Sequence, residues 1–161
     1  MRMISDEEMA ILKELKKDSR LTTREIAKRI KSSAATVHRK LNSLIKDGYI
    51  KQFTIEPNWE KIGKTALAYV LINIDYQYCK RHKLSQDTMA DRLIKHPFVF
   101  DAVTVTGRKD IILKVRVQDT NELNKFINFL RNFEGVQMTE TLVVLHGAPN
   151  NDNPFDKPYF D

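Results

Sequence analysis

The stretch LTTREIAKRIKSSAATVHRKLNSLI, residues 21–45, decides how the first third of the chain folds. Thr22, followed three residues later by Glu25, is a capping box that begins a short helix. Ser33 is a good cap for the next helix, and the three-residue turn between the two makes them cross steeply. The pattern therefore predicts a helix-turn-helix. Its last helix is predicted to bury Val37, Leu41, Leu44 and Ile45.

One more helix precedes this pair, and a strand is predicted after it. Ser5 and Glu8 form another capping box, followed by Met9, Leu12 and Leu15 on one stripe. Asp47-Gly48 ends the third helix, and the rough alternation over residues 49–55 predicts a strand. Residues 1–56 are thus predicted to form a winged helix-turn-helix domain.

The positive charge of the chain is concentrated in this domain. The 161 residues carry a net charge of +6, and residues 16–51 alone hold 11 Lys and Arg against 3 Asp and Glu. A basic surface confined to one third of a chain is typical of a protein that binds a polyanion. The alternative is a lysine-rich surface that is only solvated.

Other features exclude several classes of protein. No run of about 20 uncharged apolar residues occurs, so no membrane span is predicted. The first residues turn acidic before any apolar run, which disfavours a secretory signal. Cys79 is the single cysteine, which excludes an internal disulfide and a four-cysteine zinc site. We therefore expect a cytoplasmic protein without metal or cofactor.

After a linker at residues 57–63, the pattern changes to strands that alternate with helices. The order βαββαβ predicts a ferredoxin-like sandwich over residues 64–147, and hence an α+β protein, with a flexible tail at residues 148–161. The predicted strands are residues 65–76, 99–106, 111–117 and 136–146, and the helices run from Leu84 to His96 and over residues 120–133.

One face of this sheet is left without helices. The first strand presents Leu67, Tyr69 and Leu71 on one side, and the last strand carries Val143 and Leu145. An exposed apolar patch usually marks an interface, so we expect self-association through the sheet. The alternative is that the N-terminal domain folds back over this face.

The outward side of the third helix carries the predicted function, because such a helix lies in the DNA major groove. This side has no acidic residue, and it combines cations for phosphate with groups that read base edges. The alternative is an ordinary solvated helix face. The residues predicted to contact DNA are Lys28, Arg29, Lys31, Ser33, Ala35, Thr36, His38, Arg39, Lys40, Asn42, Ser43 and Lys51.

The order of these segments resembles the Lrp/AsnC family of feast/famine transcription regulators over residues 4–146. The resemblance implies a regulator, not an enzyme, that binds pseudo-palindromic double-stranded DNA as a homodimer or octamer. The matching segments are residues 21–30 (second helix), 33–41 (recognition helix), 47–50 with 56–57 and 62–63 (exit and linker), 103–107 with Asp110 (sensing-domain turn), and 135–136 with Thr139 and Thr141 (last strand).

The resemblance also implies an amino-acid or other small effector, bound between sensing domains. The positions carried over for it are Thr106, Gly107, Asp110, Thr139 and Thr141. A turn with no ligand is the alternative, because Arg108 and Lys109 stand where the family more often has an acid and an aromatic residue.

The helix-turn-helix also departs from the family pattern at its turn. Lys31 replaces the usual glycine and is expected to adopt a backbone conformation that is less favourable for a residue with a side chain. Ser32 replaces a residue that is usually apolar.

A siroheme-decarboxylase-like enzyme of the same architecture is the alternative of a different class. It would need histidines and arginines that converge in the sensing domain, whereas it has no need of a strongly basic helix-turn-helix. The available side chains are His82, His96, His146, Arg92, Arg108 and Arg116.

Overall fold

The computed structural model of the chain describes residues 2–146 and has two compact units, one ending at Glu56 and the other beginning at Pro57. The predicted tail at residues 148–161 lies outside the described residues. The N-terminal unit contains three helices, which are α1 (Asp6–Lys17), α2 (Thr23–Ile30) and α3 (Ala34–Lys46).

The predicted caps begin all three helices. The Ser5 and Thr22 hydroxyls accept from the backbone N–H of Glu8 and Glu25, whose carboxylates accept in return. The Ser33 hydroxyl accepts from the Thr36 N–H at 3.1 Å. Because the caps fix where each helix starts, they also fix which residues face the core.

The core of this unit differs from the predicted stripes on both α1 and α3, and Leu41 is only partly buried. Ile11 is fully buried on α1, whereas Met9 and Leu12 are only partly buried. Ile45 was predicted to be buried, but it is 44% exposed. It follows Leu44 by about 100° of helix rotation, which carries it past the edge of the buried stripe. The buried residues are Ile11, Leu15, Ile26, Ala27, Val37 and Leu44.

The turn between α2 and α3 has the strained backbone expected for it. Lys31 adopts φ 55° and ψ 47°, the left-handed conformation that glycine normally occupies. The Ser32 N–H donates to the Ala27 carbonyl at 2.9 Å, which closes the end of α2. The family turn is therefore kept without its glycine.

The strand predicted at residues 49–55 is wrong for the single chain. The N–H groups of Tyr49 and Ile50 donate to the Leu44 carbonyl at 2.9 and 3.2 Å, and residues 50–58 form neither helix nor strand. A strand needs the backbone of a second strand, and the described part of this unit offers none.

The C-terminal unit is a four-stranded antiparallel sheet with helices, as the order βαββαβ predicts. Its sheet has the order β2-β3-β1-β4. One six-residue helix, α4, was not predicted; the Asp75 carboxylate caps it by accepting from the Tyr78 N–H at 2.9 Å. The elements are β1 (Ala66–Ile74), α4 (Tyr76–Arg81), α5 (Gln86–Leu93), β2 (Val99–Thr104), β3 (Ile111–Val117), α6 (Thr120–Arg131) and β4 (Val136–Val143).

Residues preceding β1 pack within this unit. The Trp59 ring lies edge-on against Phe100, with ring centroids 4.6 Å apart. The Arg116 guanidinium lies 4.9 Å from the centroid of the same indole. These contacts attach the segment after Pro57 to β2 and β3.

The strand register separates two faces of the sheet. Alternate residues of β1, such as Val70 and Ile72, are fully buried beneath the helices. Tyr69 faces the opposite side, which we call the open face, and pairs there with Leu142. Val143 pairs with the buried Ala68, so it lies on the helix-covered side; Leu142, not Val143, belongs to the open face.

Candidate nucleic-acid interface

The outward side of α3 is a continuous polar surface. Val37 and Leu44 are buried in the core and Leu41 packs against it, so the residues on the other side of the helix point away from the core. Residues 33–46 contain no acidic side chain. The exposed members of the predicted set on this helix are Ala35, His38, Arg39 and Asn42, with Thr36, Lys40 and Ser43 partly buried.

Some side chains on this surface already form hydrogen bonds with other described residues of the chain, and others do not. The Ser33 hydroxyl caps α3 and also donates to Thr36 Oγ1 at 2.8 Å. His38 Nδ1 and Asn42 Nδ2 lie 3.5 Å apart, one helical turn from each other. Arg39 makes no salt bridge to any described residue, so its guanidinium is available to a phosphate or a base edge.

Two of the predicted cations form salt bridges with carboxylates of α1. Arg29 Nη1 lies 2.9 Å from Glu14 Oε2, and Lys40 Nζ lies 3.2 Å from Glu7 Oε2. The hydrogen bond from Arg29 is the main reason that the pKa of Glu14 lies below its ordinary value. Residue spacing does not predict these pairs, since the partners are 15 and 33 residues apart and on different helices. Lys28, Lys31 and Lys51 are exposed and form no salt bridge within the described chain.

The N-terminal unit also has an open groove of about 750 Å³. The end of α1, the loop after it and residues 49–56 line this groove, and no residue of α3 does. The candidate interface is therefore an exposed helix face that is separate from this groove.

In the C-terminal unit, the hydrogen bonds of Asp110 stabilise the loop between β2 and β3. It is buried, and its carboxylate accepts from the Ile74 N–H at 2.9 Å and from the Tyr76 hydroxyl at 2.5 Å. The hydrogen bond to Asp110 raises the pKa of Tyr76. The side chain of Gln86 donates to the Asp110 carbonyl. Sequence reasoning missed Tyr76 and Gln86, which come from helices that the fold brings to this loop.

The other four predicted effector positions lie around the same end of the sheet. Thr106 and Gly107 are exposed in the turn, where Gly107 adopts φ 112°. Thr139 and Thr141 are partly buried on β4 and pair with Ile72 and Val70, on the helix-covered side. The neighbouring Lys109 ammonium lies 2.8 Å from Glu140 Oε2.

Residues 2–146 contain neither a candidate metal site nor a helix that could span a membrane. No three His, Cys, Asp or Glu side chains there are grouped so that they could hold a metal ion. His96 packs against Phe98 and Phe126, and His82 stacks on Tyr78, so both rings have aromatic neighbours. None of the helices in this range has the length and apolarity needed to span a bilayer.

Comparison with known families agrees with this geometry. Residues 8–51 match the pattern of a winged helix-turn-helix DNA-binding domain, and residues 67–151 match the Lrp/AsnC ligand binding domain. The chain belongs to the Lrp/AsnC family. A similar protein supports the same assignment: the HTH-type transcriptional regulator FL11 of Pyrococcus furiosus is 33% identical over 143 residues, which cover 89% of this chain and 90% of FL11.

Solved structures share this Lrp/AsnC fold. Bacillus subtilis LrpC is 26% identical with a TM-score of 0.79, over 92% of this chain and 99% of LrpC. A Neisseria meningitidis transcriptional regulator in complex with L-Met is 24% identical with a TM-score of 0.81, over 89% and 91% of the two chains. The protein is therefore a transcriptional regulator of the Lrp/AsnC type with a DNA-binding helix-turn-helix, and the enzyme alternative has no support from these relatives.

Proposed function

We propose that this cytoplasmic regulator binds specific duplex sequences, with the outward side of α3 in the major groove. The observation that carries the proposal is an exposed, acid-free helix face whose opposite side buries Val37 and Leu44 in the core. Arg39 can pair with guanine or phosphate, and Asn42 can pair with adenine. Lys28, Lys31 and Lys51 supply phosphate contacts that set register without reading sequence.

We further propose that the protein works as a homodimer or octamer assembled through the open face. Tyr69 and Leu142 are 37% and 50% exposed, and they are cross-strand neighbours on this face. Val103 and Ile112 form a second apolar pair there. A symmetric pair of chains presents two α3 helices, which suits a pseudo-palindromic site.

We propose an amino acid as the effector, held between sensing domains near the β2–β3 turn. The L-Met complex of the Neisseria regulator supports this class of ligand. Thr106, Thr139 and Thr141 offer hydroxyls, and the Gly107 backbone is exposed. Asp110 contributes by fixing the turn, because both of its carboxylate oxygens already accept hydrogen bonds within the domain.

Selection from a random duplex library tests the proposed DNA binding. The protein should enrich a related set of duplexes, and affinity for a selected duplex should fall steeply with salt, because released counterions contribute much of the binding free energy. Recovery of unrelated sequences, or an affinity that salt leaves unchanged, would contradict the proposal.

A further inference from the structure

Glu7 lies on α1, outside the surface proposed to contact DNA, yet it touches both parts of the helix-turn-helix. Its Oε1 accepts from the Ser32 hydroxyl at 2.5 Å, and its Oε2 lies 3.2 Å from Lys40 Nζ. Ser32 belongs to the turn, and Lys40 lies in the middle of α3. One carboxylate therefore connects α1 with the turn and with the proposed recognition helix.

The surroundings of this contact favour an ordered arrangement. The Lys40 and Glu7 side chains are 22% and 33% exposed, so water screens their attraction less than that of a fully exposed pair. Lys40 Nζ also donates to the Ser5 hydroxyl at 3.2 Å. Hydrogen bonds from Ser32 and then Lys40 hold the pKa of Glu7 below its ordinary value, so the carboxylate is ionised at neutral pH.

Apolar burial alone does not fix the orientation of α3 closely. The contacts of Val37 and Leu44 with the core are non-directional, whereas reading a base edge requires side chains held to within about 0.5 Å. The contacts of Glu7 are directional, and they act on Ser32, which replaces the apolar residue usual in the family.

We propose that Glu7 is a positioning residue for DNA recognition, which fixes the turn and α3 through Ser32 and Lys40. The proposal rests on the proposed function. It also means that Lys40 serves recognition while it is held on α1, and not as a freely moving phosphate contact.

The sign of the effect separates this role from plain electrostatics. A carboxylate near DNA repels phosphate, so removing it should raise affinity for every duplex alike. If Glu7 positions α3, its removal instead lowers affinity for the preferred duplex and leaves affinity for unrelated DNA unchanged or higher. The ratio of the two affinities is therefore the decisive quantity.

The test compares Glu7→Ala with wild type on the duplex selected by wild type and on a scrambled duplex of the same composition. We expect affinity for the selected duplex to fall roughly three- to tenfold, because the variant loses both the Ser32 hydrogen bond and the Lys40 ion pair, while affinity for scrambled DNA does not fall. Asp6→Ala is the matched control. It removes the same charge from the same helical turn, and Asp6 forms no hydrogen bond or salt bridge with Ser32 or Lys40. It should keep the wild-type ratio.

Ser32→Ala provides a second variant that changes no charge and tests the same contact. It should also lower the ratio, and the Glu7→Ala/Ser32→Ala double variant should be no worse than Glu7→Ala alone, since both remove one shared interaction. A wild-type ratio in Ser32→Ala or in folded Glu7→Ala overturns the positioning role. Failure of wild type to prefer any duplex contradicts the proposed function instead.

Discussion

Arg39 is an exposed cation of α3 that forms no salt bridge with any described carboxylate. Replacing it with alanine should weaken binding of the selected duplex by roughly 1–3 kcal/mol and relax the preference at one base position. Competition titrations with single-base variants of the duplex measure this directly. Lys46→Ala, which removes another exposed cation of α3, should leave the base preference intact. Unchanged preference in Arg39→Ala would mean that this side chain does not read a base.

Lys31 combines a strained backbone with a charge proposed to face phosphate. Lys31→Gly should raise the free energy of unfolding by about 0.5–1 kcal/mol, because glycine relieves the left-handed strain and this exceeds its entropy cost. Lys31→Ala should leave stability near that of wild type, since alanine keeps the strain. Both variants should weaken DNA binding. Equal thermal stability of the Gly and Ala variants would show that the strain is negligible.

Glu8 gives the N-terminal unit a dependence on acid. The hydrogen bond from Arg2, followed by that from the Ser5 backbone, lowers its pKa from 4.5 to about 2. A lowered pKa means that the carboxylate stabilises the fold at neutral pH and that this contribution is lost as pH falls from about 5 to about 2. Glu8→Gln should therefore melt below wild type at about pH 7, with a smaller gap at about pH 2. Circular dichroism measures both melting temperatures. An equal difference between wild type and Glu8→Gln at the two pH values would contradict this prediction.

At the scale of elements, local signals predicted most of the fold. Caps at Ser5, Thr22 and Ser33 begin their helices as expected, because a cap acts within one helical turn. The order of strands and helices was enough to predict the sheet. Local signals could not show whether residues 49–55 form a strand. A strand must pair with a second one, and the alternation of residues does not reveal whether that partner exists.

The candidate site was predictable to a similar degree. The exposed face of α3 follows from helical spacing, so His38, Arg39 and Asn42 were found from the sequence. The contacts of Glu7 with Ser32, and of Asp110 with Ile74 and Tyr76, join residues more than 20 positions apart. Periodicity carries no information about such contacts, which only tertiary packing creates.

The register of β4 leads to a test of the open face with a closely matched control. Leu142 and Val143 are 50% and 45% exposed but point to opposite faces of the sheet. Leu142→Lys should shift the protein towards smaller species in sedimentation velocity, because it places a charge in the proposed interface. Val143→Lys should sediment like wild type. Equal behaviour of the two variants would argue against assembly through this face.

At the scale of the whole molecule, the two units divide the work of the protein. The first 56 residues carry 13 Lys and Arg against 8 Asp and Glu, whereas the remaining 105 carry 14 against 13. Attraction to DNA therefore resides in the N-terminal unit. The C-terminal unit, which is nearly neutral and has an apolar open face, is suited to self-association instead.

Hydroxyl-radical footprinting of the selected duplex is the most direct measurement of whether paired α3 helices read DNA. Wild type should protect two half-sites about 34 Å apart, or a multiple of that distance, on one side of the helix. Arg39→Ala and Asn42→Ala should lose protection at both half-sites together. A single protected patch, or protection that survives both substitutions, would contradict recognition by two symmetry-related α3 helices.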